Sequence, residues 1–256
     1  MSAGRERISE DHTDQGELNA LGQPVGRIVT NWQVPPRPDG RPLVGRFCSV
    51  ERLDVARHGV DVFCANQSDS EGRMWTYLPH GPFASYEEHE AWLLPASLSA
   101  DPFFYAIRDH TSQKAIGLAA YMRIAPDVGS IEVGGLVFPP LLQRTTVATE
   151  AMALMMAHVF ALGYRRYEWK CHALNTPSRR AAVRLGFRYE GTFRQAAIIK
   201  GRNRDTAWYA MTDGDWQVLQ EAFATWLKPA NFMADGRQRR RLSELTAAAL
   251  GECPGS

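Results

Sequence analysis

Cysteine is scarce in this 256-residue sequence, and the cysteines that occur stand far apart. They are Cys48, Cys64, Cys171 and Cys253, and none of them belongs to a CxxC pair. The spacing lacks the pattern of a metal site, and a chain with 45% hydrophobic residues builds a core without a disulfide framework. We therefore expect no metal, and a fold that its core stabilises.

A strong excess of charge of either sign is also missing. The chain has 29 Lys and Arg against 28 Asp and Glu, a formal net charge of +1. Proteins whose main partner is nucleic acid or an anionic membrane carry a basic excess, so we expect neither partner. The local basic run over 237–241 is typical of a solvated helix face, and a nucleic-acid or ribosome contact is its weaker alternative.

No apolar run marks the start of the chain. The first twenty residues, MSAGRERISEDHTDQGELNA, offer neither a signal peptide nor a membrane span, so we expect a cytoplasmic protein. Composition predicts four parts and no internal repeat. They are a flexible polar tail (1–21), an extended arm packed on the domain (22–46), one domain (47–228), and a linker with a short helix (229–256).

Hydrophobic periodicity divides the domain into helices and strands. The pattern predicts a helix over 49–66 that begins at Ser49, and a second helix capped by Ser85. The other predicted helices cover 144–162, 176–185 and 213–227, and the predicted strands cover 103–107, 115–121, 130–138, 166–171, 187–199 and 206–211. The first three strands favour an antiparallel meander. Together these elements describe one α+β domain.

One strand leads through a short loop directly into the long helix. The loop reads Leu141-Leu142-Gln143-Arg144-Thr145-Thr146-Val147-Ala148. A helix start presents unpaired backbone N–H groups and the positive end of the helix dipole, so it attracts phosphate. Arg144 adds a permanent charge. Many such turns bind nothing, so the loop by itself indicates an anion site and no more.

Further motifs follow this loop in order. They are Ala148-Thr149-Glu150-Ala151, Trp169-Lys170-Cys171, Asn175-Thr176-Pro177-Ser178-Arg179-Arg180-Ala181-Ala182, Leu185-Gly186-Phe187-Arg188-Tyr189-Glu190-Gly191 and Gly201-Arg202-Asn203-Arg204-Asp205. With the loop, the set resembles the GNAT superfamily of N-acetyltransferases, and within it the RimJ/RimL branch that acetylates ribosomal-protein N-termini. The resemblance spans 45–215 and is tightest over 131–205. It implies the GNAT fold, an α/β three-layer form of the α+β class whose mixed, mostly antiparallel sheet has a V-shaped splay and helices on its faces.

The resemblance also implies acetyl-CoA as co-substrate. In the family the pyrophosphate lies on a loop of pattern Gln/Arg-x-x-Gly-x-Gly/Ala; here Gln143 and Ala148 match, while Thr146 replaces the middle glycine and offers a hydroxyl. At Gly134-Gly135 the strand would separate from its neighbour, and its unpaired backbone groups would bond the pantetheine amides. The alternative is a bulge in an ordinary strand. The residues assigned to the coenzyme are Leu136, Val137, Phe138, Gln143, Arg144, Thr145, Thr146, Val147, Ala148, Thr149, Asn175 and Arg179.

Catalytic roles follow from the same resemblance. Ser178 would lie near the coenzyme sulfur and protonate the departing thiolate, and Asn175 would bind the pantetheine arm, cap the next helix, or do both. The family carboxylate that serves as base follows a Glu-Gly-x-x-x-Gln-Ala stretch, and Ala197 occupies that position here. We take Glu132 on the central strand as the base, with a surface-facing glutamate as the alternative reading and Asp205 as a second candidate.

The acceptor side carries aromatic and basic residues. Our candidates for contact with an aromatic or acidic acceptor are Trp75, Tyr77, Tyr121, Arg194 and Arg204. Ordinary core and lid packing is the alternative for the aromatic residues. Cys171 is expected to be a buried sheet cysteine, and the histidines, His172 among them, have no triad context.

The sequence therefore predicts an acyl-CoA-dependent N-acyltransferase, in which an amine attacks the thioester directly and a backbone N–H near Val137 holds the oxyanion. Acetyl is the expected acyl group, with succinyl as an alternative. A coenzyme-A-binding module without catalysis is the rival interpretation, supported by Ala197 and Thr146. We also expect a homodimer. The acceptor amine, on a small molecule or a protein N-terminus, is not identified.

Overall fold

The computed structural model describes residues 16–252 and contains two units. The first, Met1–Gln33, holds a short hairpin of β1 (Glu17–Leu18) and β2 (Pro24–Val25). The second, Val34–Ser256, holds the remaining described elements. Most of the predicted tail lies outside the described residues, and the predicted arm is divided between the units. The packing of the arm on the domain stays a prediction.

One sheet organises the second unit, in the strand order β3-β4-β5-β6-β7-β8-β10-β9 among the described residues. Its strands are β3 (Leu43–Val44), β4 (Cys48–Arg52), β5 (Phe103–Asp109), β6 (Ala115–Ala125), β7 (Ser130–Val137), β8 (Arg166–His172), β9 (Arg188–Ile199) and β10 (Arg202–Thr212). Every pairing is antiparallel except that of β7 with β8, which is parallel. The predicted meander and the mixed, mostly antiparallel sheet are confirmed.

Helices cover both faces of this sheet. The helices are α1 (Val55–Asn66), α2 (Tyr86–Leu98), α3 (Thr146–Ala161), α4 (Thr176–Arg184), α5 (Asp213–Leu227) and α6 (Leu242–Ala249). Helices α1 and α2 pack on one face of the sheet and form one apolar cluster with it. The other four helices pack on the opposite face and form a second apolar cluster. Successive strand residues point to opposite faces, so β5 gives Phe104 to the first cluster and Tyr105 to the second. No helix in 16–252 is long and apolar enough to cross a membrane.

The predicted helix over 49–66 is wrong in its first part. Residues Cys48–Arg52 form β4, which pairs with both β3 and β5 and buries Val50 completely. The Ser49 hydroxyl donates to the Glu51 carboxylate at 2.7 Å along one face of the strand. The helix instead begins after Asp54, whose side chain accepts the Arg57 N–H. The other predicted elements are confirmed with ends shifted by a few residues, including the cap at Ser85.

One buried carboxylate fastens the β3–β4 hairpin to α3. Glu150, only 4% exposed, accepts the backbone N–H groups of Arg46 at 2.8 Å, Phe47 at 2.6 Å and Cys48 at 2.9 Å. Gly45 permits this close approach, since a side chain there would collide with the carboxylate. Three N–H donors stabilise a buried charge that would otherwise be costly.

An aromatic cluster fills the space between α1, α2 and their connecting loop. Its rings include Phe63, Trp75, His80, Phe83, His89 and Trp92. Neither ring nitrogen of His89 has a hydrogen-bond partner among the described residues. Burial lowers the pKa of His89 to about 4, and burial with the nearby charge of Lys200 lowers the pKa of His80 to about 4. Both imidazoles are therefore neutral at pH 7 and pack as aromatic rings.

Substitution Glu150→Gln tests the anchor of the hairpin. An amide has one accepting oxygen, and its NH₂ would face backbone donors, so we expect a loss of about 2–3 kcal/mol in the free energy of unfolding in urea. Glu221→Gln, at an exposed position on α5, is the matched control and should leave the urea midpoint nearly unchanged. Equal midpoints for the two variants would contradict the anchoring role of Glu150.

Substitution His89→Leu tests the buried imidazole. The folded-state pKa of about 4 lies below the ordinary 6.5, so the unfolded chain binds a proton first as the pH falls and stability is lost between 6.5 and 4. By pH 5 the native protein should lose about 2 kcal/mol through His89, and the leucine variant should lose about 2 kcal/mol less between pH 7 and pH 5. Urea unfolding at both pH values measures this. Identical pH dependence in the two proteins would assign the loss to other groups.

Candidate active site

The central parallel strands separate part of the way along the sheet. β7 and β8 pair only from Ser130 to Val133 on one strand and from Arg166 to Trp169 on the other. Beyond that point β7 stays paired with β6 up to Val137, and β8 stays paired with β10 up to His172. The facing edges therefore lack each other as hydrogen-bond partners, and the predicted splay is confirmed.

A β-bulge accompanies the separation. Between Ala120↔Gly134 and Leu118↔Val137, β7 advances by three residues while β6 advances by two. Gly135 takes up the extra length with φ +56°, and a side chain there would meet the Phe104 ring at 2.9 Å. The splay and the bulge, given above as alternatives, thus occur together.

The loop before α3 has unpaired backbone N–H donors, although Thr146 replaces the middle glycine of the family pattern. Thr145 caps the helix, because its hydroxyl accepts the Ala148 N–H at 3.1 Å. The N–H groups of Thr146 and Val147 have no acceptor in the described part of the chain. The exposed Arg144 stands just before them with φ +62°. Two free N–H groups, the helix dipole and a guanidinium form an anion-attracting start to the helix.

The C-terminal segment reaches this loop, which the sequence did not predict. The Gln238 amide donates to the Thr146 hydroxyl oxygen at 3.1 Å. The buried Asn231 shapes the segment by donating to the Trp226 carbonyl at 2.9 Å and accepting the Arg240 N–H at 2.9 Å. The Thr146 hydroxyl still has its own proton to donate. No sequence signal links positions 92 residues apart in this way.

The first turn of α4 positions Ser178. The Asn175 side chain accepts the Ser178 N–H at 3.2 Å, which confirms Asn175 as the helix cap. The Ser178 hydroxyl accepts the Trp169 indole N–H at 3.0 Å, so its own proton remains available for donation. Burial raises the pKa of the neighbouring Cys171, which is therefore a neutral thiol in the sheet, as expected.

Three residues assigned to the coenzyme form hydrogen bonds with other residues of the protein. Thr149 is buried; its hydroxyl donates to the Thr145 carbonyl at 3.2 Å and accepts from Arg184 at 3.0 Å. Arg179 donates through Nε to the Tyr209 hydroxyl at 3.0 Å. The Gln143 amide donates to the Phe138 carbonyl at 2.7 Å and so stiffens the loop.

Glu132 lies in a buried ion network beside the splay. Glu132 is 3% exposed, so the alternative interpretation as a surface-facing glutamate is wrong. Oε2 contacts the Lys170 ammonium at 3.0 Å and also Arg123, while Lys170 contacts Glu168 at 2.6 Å. Oε1 has no hydrogen bond within 16–252 and faces Gly134, the first residue past the paired part of β7. Oε2 is thus held by two cations, and Oε1 has no hydrogen-bond donor among the described residues.

Asp205, the second candidate base, is used in the β9–β10 hairpin. Its carboxylate accepts the Gln195 N–H at 2.7 Å and the Asn203 amide at 3.0 Å. These bonds support an irregularity of β9 at Arg194–Ala196, where Gln195 has φ +50°. This position gives Asp205 a structural role.

Two tethers hold the α1–α2 loop over the acceptor side. The Lys200 ammonium donates to the carbonyls of Trp75 at 2.9 Å and Gly81 at 2.8 Å. The Tyr77 hydroxyl donates to the Leu174 carbonyl at 3.2 Å, and its ring contacts His172 with centroids 5.1 Å apart. Tyr77 therefore lies at the end of β8, beside the splay.

Two of the aromatic candidates are placed elsewhere. Tyr121 is 0% exposed in the core beneath α3, and its hydroxyl donates to the Met155 carbonyl at 2.9 Å. The assignment of Tyr121 to the acceptor pocket is therefore corrected: it lies on the sheet face opposite to α1 and α2. The Trp75 ring is buried in the aromatic cluster, and only its carbonyl takes part in the loop tether.

The basic candidates differ in burial. Arg194 is exposed at the β9 irregularity, whereas Arg204 is half-buried on β10. In the described part of the chain, no cluster of three or more His, Cys, Asp or Glu side chains is arranged to hold a metal ion. The polar groups described near the splay are Glu132, Ser178, unpaired backbone groups and the start of α3.

Comparison with known proteins supports this picture. A family model described as an acetyltransferase (GNAT) domain matches residues 55–188. The structure of a GCN5-related N-acetyltransferase from Brucella melitensis is 45% identical, covers 85% of this chain and 99% of its own, and has a TM-score of 0.83. That of a probable GNAT-family acetyltransferase from Chromobacterium violaceum ATCC 12472 is 36% identical, covers 76% and 98%, and has a TM-score of 0.71.

A more distant structure shares the fold alone. The Microcin C7 self immunity acetyltransferase MccE, in complex with acetyl-CoA and AMP, is 15% identical, covers 66% of this chain and 93% of its own, and has a TM-score of 0.59. The search of curated proteins gave no match. Family match, sequence identity and the splayed sheet agree, and this chain belongs to the GNAT family of acetyltransferases.

Proposed function

We propose that this protein is an acyl-CoA-dependent N-acyltransferase that transfers an acetyl group directly to the primary amine of a small molecule or a protein N-terminus. The observation that carries the proposal is the separation of β7 from β8 beyond Val133 and Trp169. It leaves two strand edges facing one another with unpaired N–H and C=O groups. A ligand arm that carries amides can add to such an edge as an extra strand would.

The residues around the splay fit coenzyme A. The β7 edge over Gly134–Val137 offers backbone groups for the pantetheine amides, and the bulge at Gly135 keeps side chains out of the way. The free N–H groups of Thr146 and Val147, with Arg144, would hold the pyrophosphate. The coenzyme, when bound, supplies a thioester whose carbonyl carbon is open to attack by an amine.

The chain's own residues would then move the protons. Glu132 Oε1 would attract the acceptor ammonium and take its proton, because Oε2 is held by Lys170 and Arg123. A backbone N–H near Val137 would stabilise negative charge on the carbonyl oxygen. Ser178, whose hydroxyl accepts from Trp169, would give its proton to the departing thiolate. The second proton that the amine nitrogen loses as the amide forms would return to Ser178 through water.

Finer points of the proposal rest on the sequence. The order of motifs over 148–205 supports a RimJ/RimL-like enzyme. A cytoplasmic location is part of the same proposal. A homodimer is proposed as the assembly, and its mass in solution tests it.

Isothermal titration with acetyl-CoA, followed by a thiol-release assay over a panel of amines and N-terminal peptides, tests the function. We expect one acetyl-CoA per chain to bind and thiol to be released with at least one class of amine. Absence of binding would overturn the proposal. Binding without release from any amine would instead favour the coenzyme-A-binding module, which the replacements at Thr146 and Ala197 support.

Substitution Ser178→Ala tests the proton donor. We expect kcat to fall by about ten- to a hundredfold, since water partly replaces the hydroxyl, with an unchanged Kd for acetyl-CoA in the titration. Ser243→Ala is the control, because Ser243 is exposed on α6 and its loss should change kcat by less than about threefold. A kcat for Ser178→Ala equal to that of the control would assign protonation of the thiolate to water alone.

A further inference from the structure

Arg204 is a half-buried cation without a carboxylate partner. Its Nε donates to the Thr206 hydroxyl at 3.2 Å, and its remaining guanidinium donors have no acceptor within residues 16–252. Arg123, Arg166 and Arg188 all form ion pairs. Burial lowers the pKa of Arg204, which shows that the charged form is partly desolvated. A desolvated guanidinium without an anion costs free energy that a bound anion would offset.

The position of Arg204 relates it to the splay. Thr206 pairs with His172, the last residue of β8, so Arg204 lies two residues past the end of that strand. Its side chain folds back along β10 toward Thr206, as the bond to the Thr206 hydroxyl requires. Its charge is near enough to the Glu132 carboxylate on β7 to interact with it. Arg204 therefore stands at the open end of the splay.

His172 supplies a second donor at the same place. Its Nδ1 accepts the Leu174 N–H at 3.1 Å, so the neutral ring carries its proton on Nε2. In the described part of the chain Nε2 has no partner, and the Tyr77 ring packs against the imidazole at 5.1 Å. Because His172 and Thr206 are directly opposite in the sheet, the imidazole and the guanidinium that reaches Thr206 are neighbours.

We propose that Arg204, with His172 as second donor, binds a carboxylate of the reacting ligands at the open end of the splay. The inference rests on the proposed function and adds a substrate class to it. A guanidinium binds a carboxylate through two parallel N–H donors, which an ammonium does not provide. The carboxylate belongs either to the acceptor, as in an amino acid, or to the end of a dicarboxylic acyl group, as in succinyl-CoA.

The charges nearby agree with this class. Glu132 on β7 has one carboxylate oxygen without a hydrogen-bond donor among the described residues, so an anion and a cation both lie near the splay. Lys170 is fully engaged by Glu132 and Glu168, and Asp205 is engaged by Gln195 and Asn203. Arg204 is thus a half-buried guanidinium near the splay that contacts no carboxylate among the described residues. An acceptor with both an amine and a carboxylate matches the pair of sites.

The first experimental arm examines the donor. Titration of the full chain with acetyl-CoA and with succinyl-CoA gives the ratio of their Kd values, without any need for turnover. If the acyl group carries the carboxylate, succinyl-CoA should bind at least about tenfold more tightly, and Arg204→Met should bring the ratio close to one. Arg202→Met is the matched control, since Arg202 is exposed on the same strand and should leave the ratio unchanged.

The second arm examines the acceptor. With acetyl-CoA as donor, kcat/KM is compared between free amino acids and their α-amides, which differ only in the carboxylate. If the acceptor carries the carboxylate, kcat/KM should be at least about tenfold higher for the free acids than for the amides, through a lower KM. Arg204→Met should remove this preference, and Arg202→Met should keep it. Arg204→Lys retains the charge without the paired donors, so it should give an intermediate ratio in whichever arm responds.

A carboxylate preference in either arm that disappears in Arg204→Met and survives in Arg202→Met supports the inference. Absence of preference in both arms, or a preference unchanged by Arg204→Met, overturns it while leaving the acyltransferase proposal intact. Failure of the native protein to bind either thioester overturns both. Thermal unfolding of each variant checks its fold, and if Arg204→Met is unfolded, the ratio measured with Arg204→Lys decides.

Discussion

The geometry of the site depends on the buried ion pairs of Lys170. Glu132 and Glu168 are direct register partners on β7 and β8, so two like charges face each other at the penultimate paired position. Lys170, 5% exposed, contacts both carboxylates and lies over the Trp208 ring at 3.7 Å. Its ammonium attracts both carboxylates, which would otherwise repel each other, and so links β7 to β8 just before the two strands separate. The same contact holds Glu132 Oε2, so the ion pair that links the two strands near the end of their pairing also fixes the carboxylate.

Much of the fold could be predicted, because local patterns determine it. Gly163 and Gly186, both with positive φ, follow helices that the sequence ends there, and Asn175 caps α4 as residues of its type commonly do. The start of α1 was misplaced, because Ser49 and Glu51 have the spacing of a cap while their strand is set by pairing with β3 and β5. Tyr121 was misassigned because alternation along a strand does not reveal which face carries the acceptor.

The rest of the site depends on contacts between distant residues. The resemblance located the helix start and Ser178, but the engagement of Thr149 and Arg179 by internal partners is visible only in three dimensions. The sequence places Lys200 in a predicted turn, but its ammonium holds the α1–α2 loop. The acceptors are backbone carbonyls, which every residue has, so no sequence pattern reveals this contact. Arg204 is one of several arginines in sequence, and its half-buried position past the end of β8, with the Thr206 hydroxyl as acceptor, is visible only in the structure.

The contact between Gln238 and Thr146 relates the loop before α3 to the order in which the chain is made. Ribosomes synthesise proteins from the N-terminus, so β7, the loop and α3 are complete long before residue 238 leaves the exit tunnel. A nascent chain can therefore assemble its splayed sheet while the hydroxyl at the helix start still lacks this donor. The Gln238 contact is added after these elements, and a change in the segment around Gln238 would act on a loop that is 92 residues away in sequence.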